Sequence, residues 1–339
     1  MSGRLMRAEM AEQPRVLRAF ADRFDEHAER IRALVPDGPA GVTFVARGSS
    51  DHAAVFGRYL AELASRRPAT LAAPSLHTLY GAGVDYRGWL VVALSQSGAT
   101  PEIATVCLRL REAGARTVAI VNEVDSPVAR AAELVVPLEA GAELATPATK
   151  TVTSELLAVA AVAAALGPVP FGSDELVALP DAVDQVLDDK DPAAVLAQHW
   201  AGAERAFVVA RGLLLAAALE GALKIKETTG ILAEGISAAD LRHGPIAASG
   251  PEAPVLILDG GGPAHDDLAA LAELAAGRGA PVARCAPGEA DLPLPGEVPE
   301  ALAVVTATVR GQQLALELAE ARGLDPDAPA GLSKVTATQ

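Results

Sequence analysis

The chain has 339 residues, which is long enough for two domains of ordinary size, and its net charge is −15. So acidic a chain is not typical of nucleic-acid binding, which needs clustered Lys and Arg, although a phosphorylated small molecule remains compatible with it. Half of the residues are hydrophobic but only 3% are aromatic, so the core must consist mainly of Ala, Val and Leu. Cys107 and Cys285 lack the spacing of a zinc site or a disulfide framework, and we expect both to pack as small hydrophobic side chains.

The N-terminus is not a secretory signal peptide, because Glu9, Glu12 and Arg15 form an amphipathic helical pattern there. The most apolar run, residues 156–166, is too short to span a bilayer. We therefore expect a cytoplasmic protein that contacts no membrane.

Hydrophobic periodicity predicts helices over residues 4–36, followed by strands that alternate with helices. An Ala- and Leu-rich helix should run to about residue 166. The Pro- and Asp-rich segment 167–192 is interpreted as a connection between domains, with one acidic helix at 176–188. This alternation predicts an α/β fold with a doubly wound parallel sheet. The strands of the first half are predicted at Gly41–Ala46, Trp89–Leu94, Thr117–Val121 and Leu134–Leu138.

The second half of the chain repeats the first. Aligning Arg47 with Arg211 superimposes the similar stretches Phe44–Gly48 and Phe207–Gly212, and the same offset brings two further strands into register without a gap. The chain is therefore predicted to contain two tandem doubly wound, flavodoxin-like subdomains flanked by helices. We place them at residues 1–185 and 186–339.

The stretch Val91–Glu102 predicts an anion site. A buried strand ends in a turn rich in hydroxyls, Thr100 is a good N-cap, and Pro101 suits the first position of a helix. Free N–H groups and the positive end of the helix dipole would then face a ligand, most naturally a phosphate. An ordinary turn whose hydroxyls only cap the helix remains the alternative. The side chains that could donate hydrogen bonds to the anion are Ser95, Gln96, Ser97 and Thr100.

The matching turn of the second subdomain, Asp259–Gly262, has a carboxylate in place of the first hydroxyl. A carboxylate there would repel a phosphate. We therefore expect one phosphate site per chain, in the first subdomain.

Acid–base residues are predicted in the second subdomain. Glu220, Lys224 and Glu227 lie at i, i+4 and i+7 and so share one face of a helix whose neighbours are largely apolar. A buried Lys between two carboxylates can keep one of them ionised, as a general base requires, whereas the alternative is a solvated stripe of ion pairs. His243 precedes a Gly-Pro break and so lies on a loop, where it is either a proton carrier or a structural residue.

These motifs together resemble the SIS (sugar isomerase) family, and more closely the isomerase half of glucosamine-6-phosphate synthase. The start and end of the chain, Glu9–Pro14 and Leu332–Thr336, also resemble those of that half, so the resemblance covers nearly the whole chain. The stretches that carry it are Arg47–Ser50, Ser95–Gly98, Ala218–Glu227 and Leu241–Pro245.

The resemblance implies a role for each acid–base residue. Glu227 resembles the base that moves a proton between C1 and C2, and Lys224 and Glu220 match its neighbours. His243 resembles the histidine that opens the sugar ring, supplied across the interface of a homodimer. Lys334 resembles the lysine of a C-terminal loop that can form an imine with the open-chain sugar.

The resemblance also implies a phosphorylated hexose or amino sugar as ligand, with no metal and no cofactor. The phosphate would lie on Ser50 and on the donors of the Ser95–Thr100 turn. The chain departs from the synthase at Arg47, where a cysteine is usual, and at Pro147 and Ala148, where a serine is usual at the second position. The substrate contacts that the resemblance implies are Ser49, Ser50, Ser95, Gln96, Ser97, Thr100, Thr146 and Ala148.

The expected reaction is deamination of glucosamine 6-phosphate to fructose 6-phosphate and ammonia. Met1 and Ser2 lead directly into the isomerase-like part, and neither cysteine lies near the start, so we expect no release of ammonia from glutamine. Alternatives are another phosphosugar isomerase, a deaminase of galactosamine 6-phosphate or a deglycase of a sugar–amine adduct such as fructoselysine 6-phosphate. A non-catalytic phosphosugar sensor is a further alternative, and such sensors usually carry a helix-turn-helix extension.

Overall fold

A computed structural model describes residues 2–332 and 334 of the chain, so Ser333, Val335 and Thr336 of the predicted closing motif lie outside the described residues. The strands are β1 (Gly41–Val45), β2 (Ala69–Leu71), β3 (Trp89–Ser95), β4 (Arg116–Val121), β5 (Leu134–Pro137), β6 (Arg205–Ala210), β7 (Leu232–Ser237), β8 (Val255–Leu258), β9 (Val282–Pro287) and β10 (Leu292–Leu294).

Helices precede, connect and follow these strands. They are α1 (Arg4–Ala11), α2 (Gln13–Ala21), α3 (Phe24–Leu34), α4 (Ser49–Ser65), α5 (Pro74–Thr78), α6 (Pro101–Glu112), α7 (Pro127–Ala131), α8 (Lys150–Leu166), α9 (Ser173–Asp188), α10 (Asp191–Trp200), α11 (Leu215–Thr229), α12 (Ala238–Arg242), α13 (His265–Gly277) and α14 (Glu300–Ala321).

The strands form two five-stranded sheets in which every pairing is parallel. The first has the order β2-β1-β3-β4-β5 and the second the order β10-β9-β8-β6-β7. Read from β7, the second order repeats the first, so the predicted tandem doubly wound α/β fold is confirmed. The strands β1, β3 and β8 are buried along almost their whole length, as expected for parallel strands covered on both faces.

The chain forms two compact units that are interleaved in sequence. The first unit comprises residues 16–143 and 150–170 and holds the first sheet; the second unit comprises residues 2–15, 144–149, 171–332 and 334 and holds the second sheet. This division differs from a split at residue 185, because α1 and α9 belong to the second unit. The carboxylate of Asp327 accepts hydrogen bonds from the backbone N–H groups of Leu5 and Met6, and Gln313 of α14 donates to the carbonyl of Val186 in α9.

The cores are made mainly of Ala, Val and Leu, as the composition predicts. Cys107 and Cys285 are both buried and free, and burial raises the pKa of each thiol to about 12, so both act as small hydrophobic side chains. No helix of the described stretches is both long enough and apolar enough to cross a bilayer.

His27 gives a prediction about acid stability. Its ring is 1% exposed and stacks on Phe20 with ring centroids 5.0 Å apart. Burial, reinforced by the charge of Arg23, lowers its pKa below the ordinary value. Between the lowered pKa and the ordinary value of about 6.5, the His27 ring is neutral in the folded state but binds a proton in the unfolded chain. The free energy of unfolding is therefore highest above pH about 6.5 and decreases as the pH falls toward the lowered pKa.

The free energy of unfolding, measured in urea, is therefore expected to decrease less between pH 7.5 and pH 5.5 in His27→Leu than in the wild type. The exposed His199, replaced by Gln, serves as the control and should leave that decrease unchanged. An unaltered pH dependence in His27→Leu would contradict this assignment.

Candidate active site

The first sheet has its topological switch point at the carboxyl ends of β1 and β3. These strands are adjacent and parallel, with Val45 paired to Ala93. From β1 the chain passes through α4 to β2 on one side, and from β3 it passes through α6 to β4 on the other. Connections that diverge in this way open a crevice, which is where doubly wound sheets bind ligands. The segments that border it are the predicted turns Arg47–Ser50 and Ser95–Thr100.

Two helices, α4 and α6, begin at these turns. Gly48 precedes α4 and Thr100 precedes α6, and neither supplies a side-chain capping hydrogen bond. Thr100 is the N-cap residue of α6, as predicted, and Pro101 is in the first turn. The hydroxyl of Thr100 lies 3.4 Å from the hydroxyl of Ser95 and accepts no hydrogen bond from a backbone N–H group of the helix. First-turn N–H groups that no side chain caps, at the positive ends of two helices, favour binding of an anion.

The donors of the Ser95–Thr100 turn are accessible to different extents. Ser95 is buried, whereas Gln96, Ser97 and Thr100 are partly exposed. The hydroxyl of Ser97 accepts a hydrogen bond from the N–H of Ala99 at 3.2 Å, so its own hydrogen can still be donated to a ligand.

The segment that follows β4, from Asn122 to the first turn of α7, fixes the shape of this turn. The N–H of Asn122 donates to the carbonyl of Gln96 at 3.2 Å, and the N–H of Val128 donates to the carbonyl of Gly98 at 3.0 Å. Gly98 has a φ of +61°, and a Cβ atom there would lie 2.0 Å from Oγ of Ser126. The turn therefore requires glycine at position 98 for both its backbone conformation and its close packing.

Gly98→Ala is expected to displace the turn and to weaken phosphate binding, and the added strain and overpacking should cost about 1–3 kcal/mol of stability. Isothermal titration with inorganic phosphate and urea unfolding measure the two effects. The matched control is Gly81→Ala, since Gly81 has a φ of +58° but open space around the added Cβ. If both variants bind phosphate equally well, packing against Ser126 does not shape the site.

The structure shows the partners of two carboxylates at the site, Glu155, which the sequence did not connect to it, and Glu102, which the sequence places in the first helical turn beside the anion. Ser50 donates a hydrogen bond to Glu155 of α8, at 2.8 Å, and Glu155 is 1% exposed. In this state the hydroxyl hydrogen of Ser50 is directed to Glu155, so Ser50 can donate to a phosphate only by giving up that bond. Glu102 of α6 is likewise buried and is paired with Arg47. A carboxylate within the apolar sequence of α8 was the signal that could have identified Glu155.

At the equivalent turn of the second sheet, side chains of the protein lie where a ligand would bind. Asp259 is 2% exposed, and its carboxylate lies 2.6 Å from Nδ1 of His265 and accepts a hydrogen bond from the N–H of Gly261. The carboxyl group of Glu300 packs where a side chain on Gly262 would otherwise lie. The two turns thus share a topology, but the second has a buried carboxylate where the first has the hydroxyl of Ser95.

The second unit brings together the predicted acid–base residues of α11. The ammonium of Lys224 lies 2.5 Å from the carboxylate of Glu227 and 3.3 Å from that of Glu220. Lys224 and Glu220 are each 1% exposed, whereas the side chain of Glu227 is 23% exposed. Burial alone would lower the pKa of Lys224, but the charges of Glu220 and Glu227 outweigh it and raise that pKa. A charged Lys224 is therefore paired with Glu227, whose side chain is partly exposed.

The other predicted residues of the second unit are at or near its surface. His243 follows α12, and its ring is exposed. Thr146 and Ala148 lie on the segment 144–149, where the N–H of Thr146 donates to the carbonyl of Asp327 at 3.2 Å. Lys334 is partly exposed.

The SIS domain model matches residues 41–165 and 200–286, which include both sheets almost completely. The chain belongs to the SIS domain family. The two matched stretches correspond to the two sheets, so they coincide with the two halves of the repeat inferred from the sequence.

Relatives of this SIS protein include the isomerizing glutamine–fructose-6-phosphate aminotransferase of Methanothermobacter thermautotrophicus, which is 33% identical over 338 residues. That alignment covers 97% of this chain but 56% of the relative, so the chain spans little more than half of the relative's length. Among solved structures, a candidate phosphosugar isomerase from Silicibacter pomeroyi has a TM-score of 0.83 and 29% identity, covering 96% of this chain and all of its own.

A glucosamine-6-phosphate deaminase from Thermotoga maritima shares the fold of this SIS protein, with a TM-score of 0.76 and 21% identity over 96% of this chain and all of its own. The predicted family and fold are therefore confirmed.

Proposed function

We propose that this SIS protein is a phosphosugar isomerase that converts glucosamine 6-phosphate and water to fructose 6-phosphate and ammonia. The observation that carries the proposal is the Glu220–Lys224–Glu227 cluster, in which Glu220 and Lys224 are buried and the side chain of Glu227 is partly exposed. The Methanothermobacter relative supports it, because its name combines fructose 6-phosphate, an amino group and isomerisation. The same chemistry, run from the amino sugar with water as co-substrate, releases ammonia.

The phosphate of the substrate binds at the crevice of the first unit. The hydroxyls of Ser95, Ser97 and Thr100 and the first-turn N–H groups of α4 and α6 donate hydrogen bonds to its oxygens. Ser50, whose hydrogen is directed to Glu155, accepts a hydrogen bond from a sugar hydroxyl or amino group. Binding through the phosphate then limits the positions that the sugar carbons can take.

Glu227 transfers a proton between C2 and C1 of the open-chain sugar. It removes the proton from C2, the electron pair moves into a C1–C2 double bond, and the aldehyde oxygen takes a proton to give an enolamine. The proton is then returned to C1 while the nitrogen gives up a proton to water, which leaves an imine at C2 of the ketose and balances the proton that the aldehyde oxygen took from water. Water adds to that carbon and ammonia leaves, so fructose 6-phosphate is the second product. Lys224 orients Glu227 throughout.

Ring opening precedes this transfer, and His243 of a second copy of the chain is proposed as its proton carrier. The exposed position of His243 after α12 suits a residue that completes a neighbouring site. Thr146 and Ala148 are proposed to line the sugar, and Lys334 to contact its open-chain form.

The activity is tested by incubating the full chain with glucosamine 6-phosphate and measuring ammonia and fructose 6-phosphate. Equal amounts of the two products are expected. A panel of galactosamine 6-phosphate, fructoselysine 6-phosphate and fructose 6-phosphate distinguishes the other enzymatic activities. Binding of the panel without turnover would indicate a sensor, and folded protein that releases no ammonia would overturn the deaminase.

The shared site is tested by mixing two inactive variants, His243→Ala and Glu227→Gln, after dissociation and reassociation. If His243 acts in a neighbouring subunit, mixed dimers contain one site with both residues intact. Random pairing should then restore about a quarter of the wild-type activity. A mixture as inactive as its components would contradict a shared site.

A further inference from the structure

An ion pair lies at the border of the phosphate crevice. Arg47 follows β1 and Glu102 lies in the first turn of α6, so the pair joins the two segments that diverge from β1 and β3. Nε of Arg47 donates to Oε2 of Glu102 at 2.9 Å, and Nη2 donates to Oε1 at 3.1 Å. Two parallel hydrogen bonds of this kind fix the guanidinium plane relative to the carboxylate.

The two partners differ in burial. The side chain of Glu102 is 7% exposed, whereas that of Arg47 is 46% exposed. Glu102 is therefore a buried negative charge in the same helical turn whose N–H groups would receive the phosphate. Without a counter-charge, this carboxylate would oppose binding of any anion there.

Arg47 acts on more than one acidic residue of the crevice. Burial raises the pKa of Asp51, in the first turn of α4, while the charges of His52 and Arg47 act in the opposite direction. Arg47 is therefore close enough to affect the first-turn acids of both helices. Its Nη1 group makes no hydrogen bond to Glu102, so one edge of the guanidinium is directed elsewhere.

We propose that Arg47 is a binding residue of the phosphate site, which cancels the charge of Glu102 and offers its remaining N–H edge to a phosphate oxygen. This inference rests on the proposed function, because it assumes that the crevice of the first unit binds the phosphate. It explains how an anion site can retain a buried carboxylate. It also gives Arg47 a role that needs a guanidinium, since an ammonium cannot hold a carboxylate by two parallel bonds and contact a second anion from the same plane.

The test measures the affinity of the full chain for inorganic phosphate and for fructose 6-phosphate by isothermal titration. Arg47→Ala should weaken both affinities about 10- to 100-fold, because it leaves Glu102 uncompensated. Glu102→Gln should strengthen them, since it removes the negative charge and releases Arg47. The double variant Arg47→Ala with Glu102→Gln should recover most of the loss caused by Arg47→Ala, and Arg47→Lys should lie between Arg47→Ala and wild type.

The matched control is Arg116→Ala. Arg116 forms a similar two-contact pair with Glu133, with distances of 3.1 and 3.2 Å and 47% exposure, but it lies at the start of β4, at the opposite end of the same sheet. This variant should leave both affinities unchanged. Circular dichroism at the titration temperature identifies a variant that fails to fold, and the double variant then decides the outcome.

The results separate this inference from the proposed function. If the wild type binds neither probe, the phosphate site itself is wrong. If the wild type binds both probes and Arg47→Ala binds them equally well, only the role of Arg47 is overturned. Equal weakening in Arg47→Ala and Arg116→Ala would also overturn it, because the effect would then be one of net charge.

Discussion

Glu227→Gln is expected to lower the turnover of glucosamine 6-phosphate about 100- to 10,000-fold, the range of general acid–base contributions. Gln has nearly the same shape as Glu but cannot accept the C2 proton. Lys224 keeps Glu220 as a charged partner in this variant, so the fold of α11 should be retained. The measurements are the initial rate of ammonia release and the affinity for fructose 6-phosphate, and the affinity should stay close to that of the wild type.

Glu273→Gln provides the matched control for this prediction, because Glu273 is an exposed carboxylate of α13 in the same unit. Its turnover should equal that of the wild type. Substantial turnover in Glu227→Gln would assign the proton transfer to another group. A parallel loss of affinity would instead indicate that Glu227 helps to bind the sugar.

Lys224→Met is expected to have the largest effect on stability. It leaves the carboxylates of Glu220 and Glu227 near each other without the cation between them, and breaking a buried ion pair from one side costs about 3–5 kcal/mol. The free energy of unfolding in urea, measured at pH 7.5, tests this value. Activity should fall as well, because Glu227 loses the group that orients it.

Two further variants decide whether the loss comes from the buried charges. Lys226→Met, on the exposed side of the same helix, should change stability little. Adding Glu220→Leu to Lys224→Met should recover part of the loss, since a buried ion pair replaced on both sides by apolar groups is often tolerated. If Lys224→Met and Lys226→Met are equally stable, Lys224 is not the centre of a buried charge cluster.

The elements that sequence reasoning found are those with a strong local signal. β3 is an almost fully buried run of seven residues, and the offset of the repeat transfers Val91–Leu94 to Val255–Leu258, which are the bounds of β8. β2 was not predicted because it has only three residues, and β7 because Leu232–Ser237 has neither a continuous apolar run nor a clear alternation. The repeat in the sequence predicted two copies of one α/β unit, which no single element could show.

The candidate site could be predicted where its chemistry lies in one segment. The face shared by Glu220, Lys224 and Glu227 follows from helix periodicity alone, and so do the hydroxyls after β3. The pairs Ser50–Glu155 and Arg47–Glu102 could not be predicted, because each joins residues at least 55 positions apart in the chain. The hydrogen bonds from N–H groups of α1 to the carboxylate of Asp327 could not be predicted for the same reason, since Asp327 lies near the other end of the chain.

The central claim is that the first unit holds the phosphate while Glu227 acts on the sugar carbons. A crystal structure of Glu227→Gln with bound glucosamine 6-phosphate tests it most directly. The account predicts phosphate oxygens within hydrogen-bonding distance of the Ser95–Thr100 turn and C2 beside the side-chain amide at position 227. A phosphate bound elsewhere, or a sugar whose C2 lies beyond the reach of position 227 in every subunit, would contradict it.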